Sequence, residues 1–137
     1  MSGSYWRGFW RLADPKISLA SFAGIFLGAC MAAADQGLAW GWLALTVAGV
    51  FCVEIAKNAS GELVDYDSGT DLAITPADRS PFSGGKRVLV DMLLTRDQTH
   101  ALTARFFAAA IAIGMVIVLW RDSRVLGFGL AGIALAW

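Results

Sequence analysis

Between Ile17 and Ala34 the chain carries eighteen consecutive residues without a charged side chain. A helix of that length, at about 1.5 Å per residue, nearly crosses a hydrocarbon core of about 30 Å. The surrounding sequence does not dilute the signal. Hydrophobic residues make up 57% of the 137 positions and charged residues 16%, and the mean hydropathy is +0.59, well above soluble composition. Two further apolar runs, 38–53 and 101–120, read as spans, and a fourth, 125–137, begins after the turn Arg121, Asp122 and Arg124. The expected fold class is therefore all-α, a multi-pass transmembrane helical bundle with about four spans, 17–34, 38–53, 101–120 and 125–137. The last is too short to cross unaided.

The segments between these runs predict how the bundle is laid out. Residues 4–13 set Trp6, Phe9, Trp10 and Ala13 on one helical face and Arg7 and Arg11 on another, the pattern of an interfacial helix in the headgroup layer. Arg7 and Arg11 ahead of an apolar run also resemble the start of a signal peptide, but the run reads as a retained membrane helix. Asp14 and Pro15 offer an N-cap and first-turn proline for that first span. Within it, Gly24, Gly28 and Ala32 form a row of small residues on which another helix could approach closely. A short break at Asp35, Gln36 and Gly37 makes the first two spans antiparallel neighbours. Trp40 and Trp42 fall where an aromatic belt is expected. Thr95 and Gln98 have the spacing of a capping box ahead of the third span.

The formal charge is zero, so no net field points to nucleic acid. Cys30 and Cys52 sit in apolar stretches and read as small hydrophobes, and His100, the single histidine, as an ordinary interfacial residue. What matters is where the charges lie. With the N-terminus in the cytoplasm, Arg7, Arg11, Lys16, Lys57, Arg79, Lys86, Arg87, Arg96 and Arg105 share that side, nine of the eleven basic residues, against Arg121 and Arg124 outside. The positive-inside rule then places the long polar loop 57–100 in the cytoplasm of a cell-membrane protein. Val88, Leu89, Met92 and Leu93 recur in it at helical spacing and predict a short helix.

That loop begins with an acidic constellation. Glu54, Asn58, Glu62 and Asp65 are spaced by four, four and three, so on a helix continuing past the second span they fall within an arc of about 80°. Ser68 and Gly69 make a plausible helix stop, after which the chain can turn Asp71 back toward the same face. Carboxylates gathered this closely raise one another's pKa unless a cation compensates. Magnesium suits them, because it takes hard oxygen ligands and is commonly shared between carboxylates and substrate phosphates. A calcium loop starting at Asp65 fits poorly, with Gly69 at its fifth position where a glycine belongs at the sixth. The basic half of the loop supplies Arg79, Lys86 and Arg87, and Ser83-Gly84-Gly85 supplies backbone N–H groups able to approach phosphate oxygens. Contact with lipid headgroups is an equal reading of Lys86 and Arg87.

The run Asn58-Ala59-Ser60-Gly61-Glu62-Leu63-Val64-Asp65-Tyr66-Asp67-Ser68-Gly69-Thr70-Asp71 resembles the first aspartate-rich motif of UbiA-type membrane prenyltransferases, and Asp78-Arg79-Ser80-Pro81-Phe82-Ser83-Gly84-Gly85 resembles the loop that precedes their third span. Gly61-Glu62 stands where many members have Asn-Asp. The resemblance implies transfer of an isoprenoid chain from a prenyl diphosphate to an aromatic or other lipophilic acceptor. It implies Mg2+ held by Asn58, Glu62, Asp65 and Asp71, with Asp65 and Asp71 central to catalysis, and diphosphate bound by Asn58, Arg79 and Lys86. It covers essentially the whole chain but only the N-terminal half of a fold of about nine spans. The chain is thus expected to be a fragment, a truncated product or one part of a split enzyme, with a second half or partner subunit elsewhere. The competing expectation is a non-catalytic membrane protein whose acidic loop binds metal or a partner.

Overall fold

A computed structural model describes residues 3–16, 18–35, 37–75, 77 and 85–136, with the side chains of residues 133, 135 and 136 left aside. Among the described residues six helices follow in order: α1 Gly3–Ala13, α2 Leu19–Asp35, α3 Trp40–Asp67, α4 Thr70–Ala73, α5 Arg96–Trp120 and α6 Val125–Ala136. No strand occurs among the described residues.

Helices α3 and α5, 28 and 25 residues long, are long and apolar enough to cross a membrane. At about 1.5 Å per residue each exceeds the hydrocarbon thickness of about 30 Å. Only 11% of the apolar stretch of α3 and 6% of that of α5 is buried, so neither is the core helix of a compact fold. Their apolar sides face outward, as a lipid environment allows. The expected spans 17–34 and 125–137 appear as α2, 17 residues, and α6, 12 residues, both apolar but shorter.

The main contact in the molecule is α3 along α5. A β-carbon at Gly49 would lie 3.0 Å from Ile113 Cγ2, so the two helices approach closely there. The other small-residue row behaves differently from expectation. Among the described residues nothing beyond the helix's own nearby backbone lies within 4 Å of a β-carbon built at Gly24 or Gly28, and α2 buries none of its residues. The row is open because α2 touches α3 only sparingly. Ser21 Oγ donates to Glu54 Oε1 at 2.7 Å, a polar tie between them.

One small hydrophobic core is built at the polar end of the α3–α5 pair. Leu12, Ala59, Leu63, Val88, Leu89, Leu94 and Leu102 are buried together, with Tyr5, Phe9, Leu93 and Phe106 packed against them. α1 is consequently not a helix resting on headgroups alone. Its Gly8, Leu12 and Ala13 are buried, while Trp6 and Trp10 stay exposed. A β-carbon at Gly8 would meet Leu94 Cγ at 2.6 Å, so only glycine lets α1 lie this close. Phe9 stacks obliquely on Phe106 at 5.8 Å between centroids.

Local signals explain most boundaries. Thr95 accepts from Gln98 N–H while the Gln98 side chain accepts from Thr95 N–H, the expected capping box, so α5 begins at Arg96. Asp14, by contrast, does not cap the next helix. Its N–H closes α1 on Trp10 O at 3.2 Å and its carboxylate is drawn to Lys86, whereas α2 opens on the Phe22 N–H to Ser18 O bond. The helix expected over Val88, Leu89, Met92 and Leu93 is instead a run of turns, closed by Asp91 N–H on Arg87 O and Leu93 N–H on Val88 O. Arg87 and Met92 adopt φ of +52° and +50°, which breaks the helix at both ends. The four apolar residues do not share one face: Val88 and Leu89 are buried and Met92 is 85% exposed.

Candidate functional site

The polar end of α3 carries the acidic constellation as a real helical face. α3 continues from Val53 through Glu54, Asn58, Glu62 and Asp65 to Asp67 without a break. Its stop is the one the Ser68-Gly69 pair predicts. Ser68 N–H bonds to Val64 O at 2.9 Å, and Gly69 N–H bonds to Tyr66 O at 3.2 Å with φ of +77°, a left-handed conformation that favours glycine. From Gly69 the chain reverses into α4, whose Leu72 and Ala73 N–H groups return to Gly69 O. This reversal places Asp71, 1% exposed, back beside Glu62, 3% exposed.

These two carboxylates sense each other. Burial pushes the Glu62 carboxyl above its ordinary range, the N–H of Leu89 opposes that shift, and the charge of Asp71 adds to it. Glu62 Oε1 accepts the Leu89 N–H at 2.9 Å, and the N–H groups of Arg87 and Val88 also favour its charged form. Asp71 is approached from the other side by Gly85. A β-carbon there would lie 2.3 Å from Asp71 Oδ1, and Gly85 has φ of +70°. The glycine expected to approach a phosphate thus approaches a carboxylate of the chain itself.

The remaining residues of the expected site divide. Asp65 is half-buried on α3, and its carboxylate makes no hydrogen bond or ion pair with the described residues. Asn58 turns its amide toward α1, donating from Nδ2 to Leu12 O at 2.8 Å. Lys86, expected on diphosphate, pairs with Asp14. Arg79, together with 78–84 apart from itself, lies outside the described residues. Glu54 is held by Ser21 and by Lys57 Nζ at 3.5 Å, away from Glu62 and Asp71 as a tie to α2.

Two features escape sequence reasoning. Arg87 is buried, 9% exposed, and its Nη1 donates to the carbonyls of Asp71 and, at 3.3 Å, Ile74, so it closes the C-terminal end of α4. Adjacent Lys86 and Arg87 look alike in sequence, and only the turn separates their directions. The second is the strapping of α1. Arg11 Nη1 meets Asp91 Oδ2 at 2.5 Å and Ser4 Oγ donates to Leu93 O at 3.0 Å, which, with the Lys86–Asp14 pair, fixes α1 over residues 85–94.

Among the described residues no group of three or more His, Cys, Asp or Glu side chains is arranged to hold a metal. An all-protein magnesium cage is therefore not formed by them. A shared site needs only one or two carboxylates plus phosphate oxygens, and Asp65, with no partner among the described residues, has the donor chemistry for it. A second surface feature is apolar. A groove of about 640 Å³ runs between α2 and α3, lined by Phe22, Trp40, Leu43, Val47 and Phe51, and reaches Pro15 next to Asp14. No protein-family profile, curated protein or solved structure matches the chain.

Proposed function

We propose that the chain is a membrane-embedded, UbiA-type prenyltransferase module that binds a prenyl diphosphate at the polar end of α3. The observation that carries this reading is the return of Asp71 to Glu62, three residues from the uncommitted Asp65, on the end of an apolar helix pair. Juxtaposed carboxylates on the end of an apolar helix pair suit a ligand with a charged head and a hydrocarbon tail. By this reading α2 and α6 complete a four-span arrangement together with α3 and α5, and the N-terminus and polar end face the cytoplasm, where nine of the eleven basic residues then lie.

Asp65, with Asp71 buried beside Glu62, is the carboxylate that would hold a magnesium ion together with the diphosphate, and the ion would supply Lewis-acid stabilisation of the leaving group. The chain's own residues do the rest. Arg87 holds α4, and hence Asp71, in place. Asn58 fixes α1 against α3, and Lys86, held by Asp14, is the side chain that would meet a phosphate. The apolar walls of the groove would shield a hydrocarbon tail from water, while the carbon–oxygen bond breaks with its electron pair leaving on the diphosphate and the acceptor attacks the carbocation and loses a proton.

A second reading, a non-catalytic membrane protein whose acidic loop holds a partner, is favoured by the lack of a three-acid group among the described residues. One experiment separates the two. The chain in lipid nanodiscs is incubated with labelled geranyl diphosphate and magnesium, and retention is compared with that of Asp65→Ala. Magnesium-dependent retention that Asp65→Ala abolishes supports the transferase reading; retention unaffected by the substitution, or none, rejects it.

A further inference from the structure

We infer that α1 and the polar ends of the two long helices form a seat for anionic phospholipid headgroups, with Trp6 and Trp10 entering the boundary with the acyl chains and Arg7 and Arg105 meeting the lipid phosphates. Such a seat requires α3 and α5 to cross lipid, and it depends neither on a diphosphate ligand nor on catalysis.

Three helices bring their interfacial residues to one depth. α3 and α5 run antiparallel: Gly49 approaches Ile113, while Ala59 and Leu63, later in α3, pack with Leu102 and Phe106, earlier in α5. Lys57 follows Gly49 by eight residues and Arg105 precedes Ile113 by eight, so both cations stand about 12 Å from that contact toward the polar end. α1 crosses both helices at this depth. Its Leu12 O accepts from Asn58, next to Lys57, and its Phe9 stacks on Phe106, next to Arg105.

The contacts of α1 also decide which of its edges faces the apolar stretch. At about 100° per residue, Ser4 and Arg11 flank one side of the strip buried through Gly8 and Leu12, and Trp6 and Trp10 flank the other. Ser4 and Arg11 reach Leu93 and Asp91, and Gly8 lies against Leu94, all ahead of the start of α5. Phe9, on the tryptophan side, reaches Phe106, well inside α5. The tryptophan edge therefore turns away from the polar turn and toward the apolar length of α5. Both rings stay exposed, 49% and 58%, and both meet Phe9 edge-on, at 5.7 and 5.3 Å between centroids, which holds them in place with an apolar face uncovered. Indole rings so placed sit at headgroup level in a bilayer.

Charge selects the class of lipid. Arg7 lies opposite the buried strip and Arg105 is likewise exposed, and neither pairs with a carboxylate among the described residues, whereas Arg11, Lys57, Lys86 and Arg96 each do. Lys86 and Arg87, whose place in the sequence also suits headgroup contact, are instead turned inward, to Asp14 and to the carbonyls of Asp71 and Ile74. Two uncompensated guanidinium groups at the depth of interfacial tryptophans complement the net negative charge of an anionic headgroup and can grip its phosphate through paired N–H groups.

The test uses the full chain in vesicles of phosphatidylcholine and phosphatidylglycerol, with electron paramagnetic resonance of spin-labelled forms of each lipid reporting the fraction held at the protein surface. Wild type is expected to prefer phosphatidylglycerol, and Arg105→Gln to lower that preference about fivefold, the contribution of one basic residue near such a surface. Arg7→Gln/Arg105→Gln is expected to bring it close to parity. Arg96→Gln removes the same charge from the same helix, nine residues nearer its polar end where Asp67 already pairs it, and is expected to leave the preference unchanged. Equal losses in Arg96→Gln and Arg105→Gln, or no preference in wild type, overturn the proposal. Trp6→Phe/Trp10→Phe supplies the second readout: the emission it removes is expected to be quenched by brominated phosphatidylcholine more strongly than by acrylamide. Stronger quenching by acrylamide puts the outer edge of α1 in water, and shielding from both quenchers covers it with a second copy or another protein; either result overturns the proposal.

Discussion

Replacing Gly85 by alanine tests the close fit of the 85–89 turn on Asp71 in the most direct way. Two separate costs are expected. At φ of +70° an L-residue sits in the left-handed region, which costs about 1–2 kcal/mol relative to glycine. The added β-carbon would also fall 2.3 Å from Asp71 Oδ1, and Asp71 is 1% exposed, so its carboxylate has little room to retreat. Overpacking of a filled site costs about 1–3 kcal/mol, which brings the total to about 2–5 kcal/mol. Gly69 is the matching control. It has φ of +77° but open space around its missing β-carbon, so Gly69→Ala carries the conformational cost alone, about 1–2 kcal/mol. Both variants can be measured by limited proteolysis of the polar end in nanodiscs, with native-state exchange at Leu89 and Leu93 as the local reporter. The expected result is a Gly85→Ala loss exceeding that of Gly69→Ala by about 1–3 kcal/mol. Equal losses would refute the claim that the turn presses on Asp71.

Three further outcomes follow from the same end of the molecule. Asn58→Ala removes the Nδ2–Leu12 O bond of 2.8 Å and is expected to cost about 1 kcal/mol, read as a red shift of tryptophan emission as α1, with Trp6 and Trp10, loosens. Leu12→Ala empties a fully buried site in the small core and is expected to cost about 2–5 kcal/mol by denaturation in detergent, whereas the equivalent Leu27→Ala on the exposed side of α2 should cost far less. Stability should depend on pH through Glu62. Because its folded pKa lies above the ordinary 4.5, the folded chain holds a proton that the unfolded chain has released. That contribution is complete below pH 4.5 and is lost as pH rises through the folded value, and Glu62→Gln should flatten this slope.

The helical class, the polar stop of α3 and the start of α5 were legible because each has a local cause. Uncharged runs set the helices, Gly69 supplies the left-handed residue that ends α3, and the Thr95–Gln98 pair caps α5 through bonds spanning three residues. The spacing of Glu62 and Asp65 on one face was likewise local. The partners of the charged residues were not. Asp14 and Lys86, or Arg11 and Asp91, lie more than seventy residues apart, and nothing in either neighbourhood names the other. Periodicity also misled over residues 88–93, where the positive φ of Arg87 and Met92 produces turns that tie to Glu62. The open row Gly24, Gly28 shows the same limit: small residues permit a close approach, but only a neighbouring helix makes one.

The proposed function requires a water-facing polar cap on the ends of helices that cross lipid, and spin-label accessibility reads that arrangement directly. With Cys30 and Cys52 replaced by serine, nitroxides are attached through Ala48→Cys on α3, Ala108→Cys on α5 and Thr70→Cys on α4, all exposed positions. In nanodiscs, the labels at positions 48 and 108 should collide with oxygen and be shielded from a nickel chelate, while the label at 70 should show the reverse. Chelate access at all three positions would place α3 and α5 in water and contradict the account.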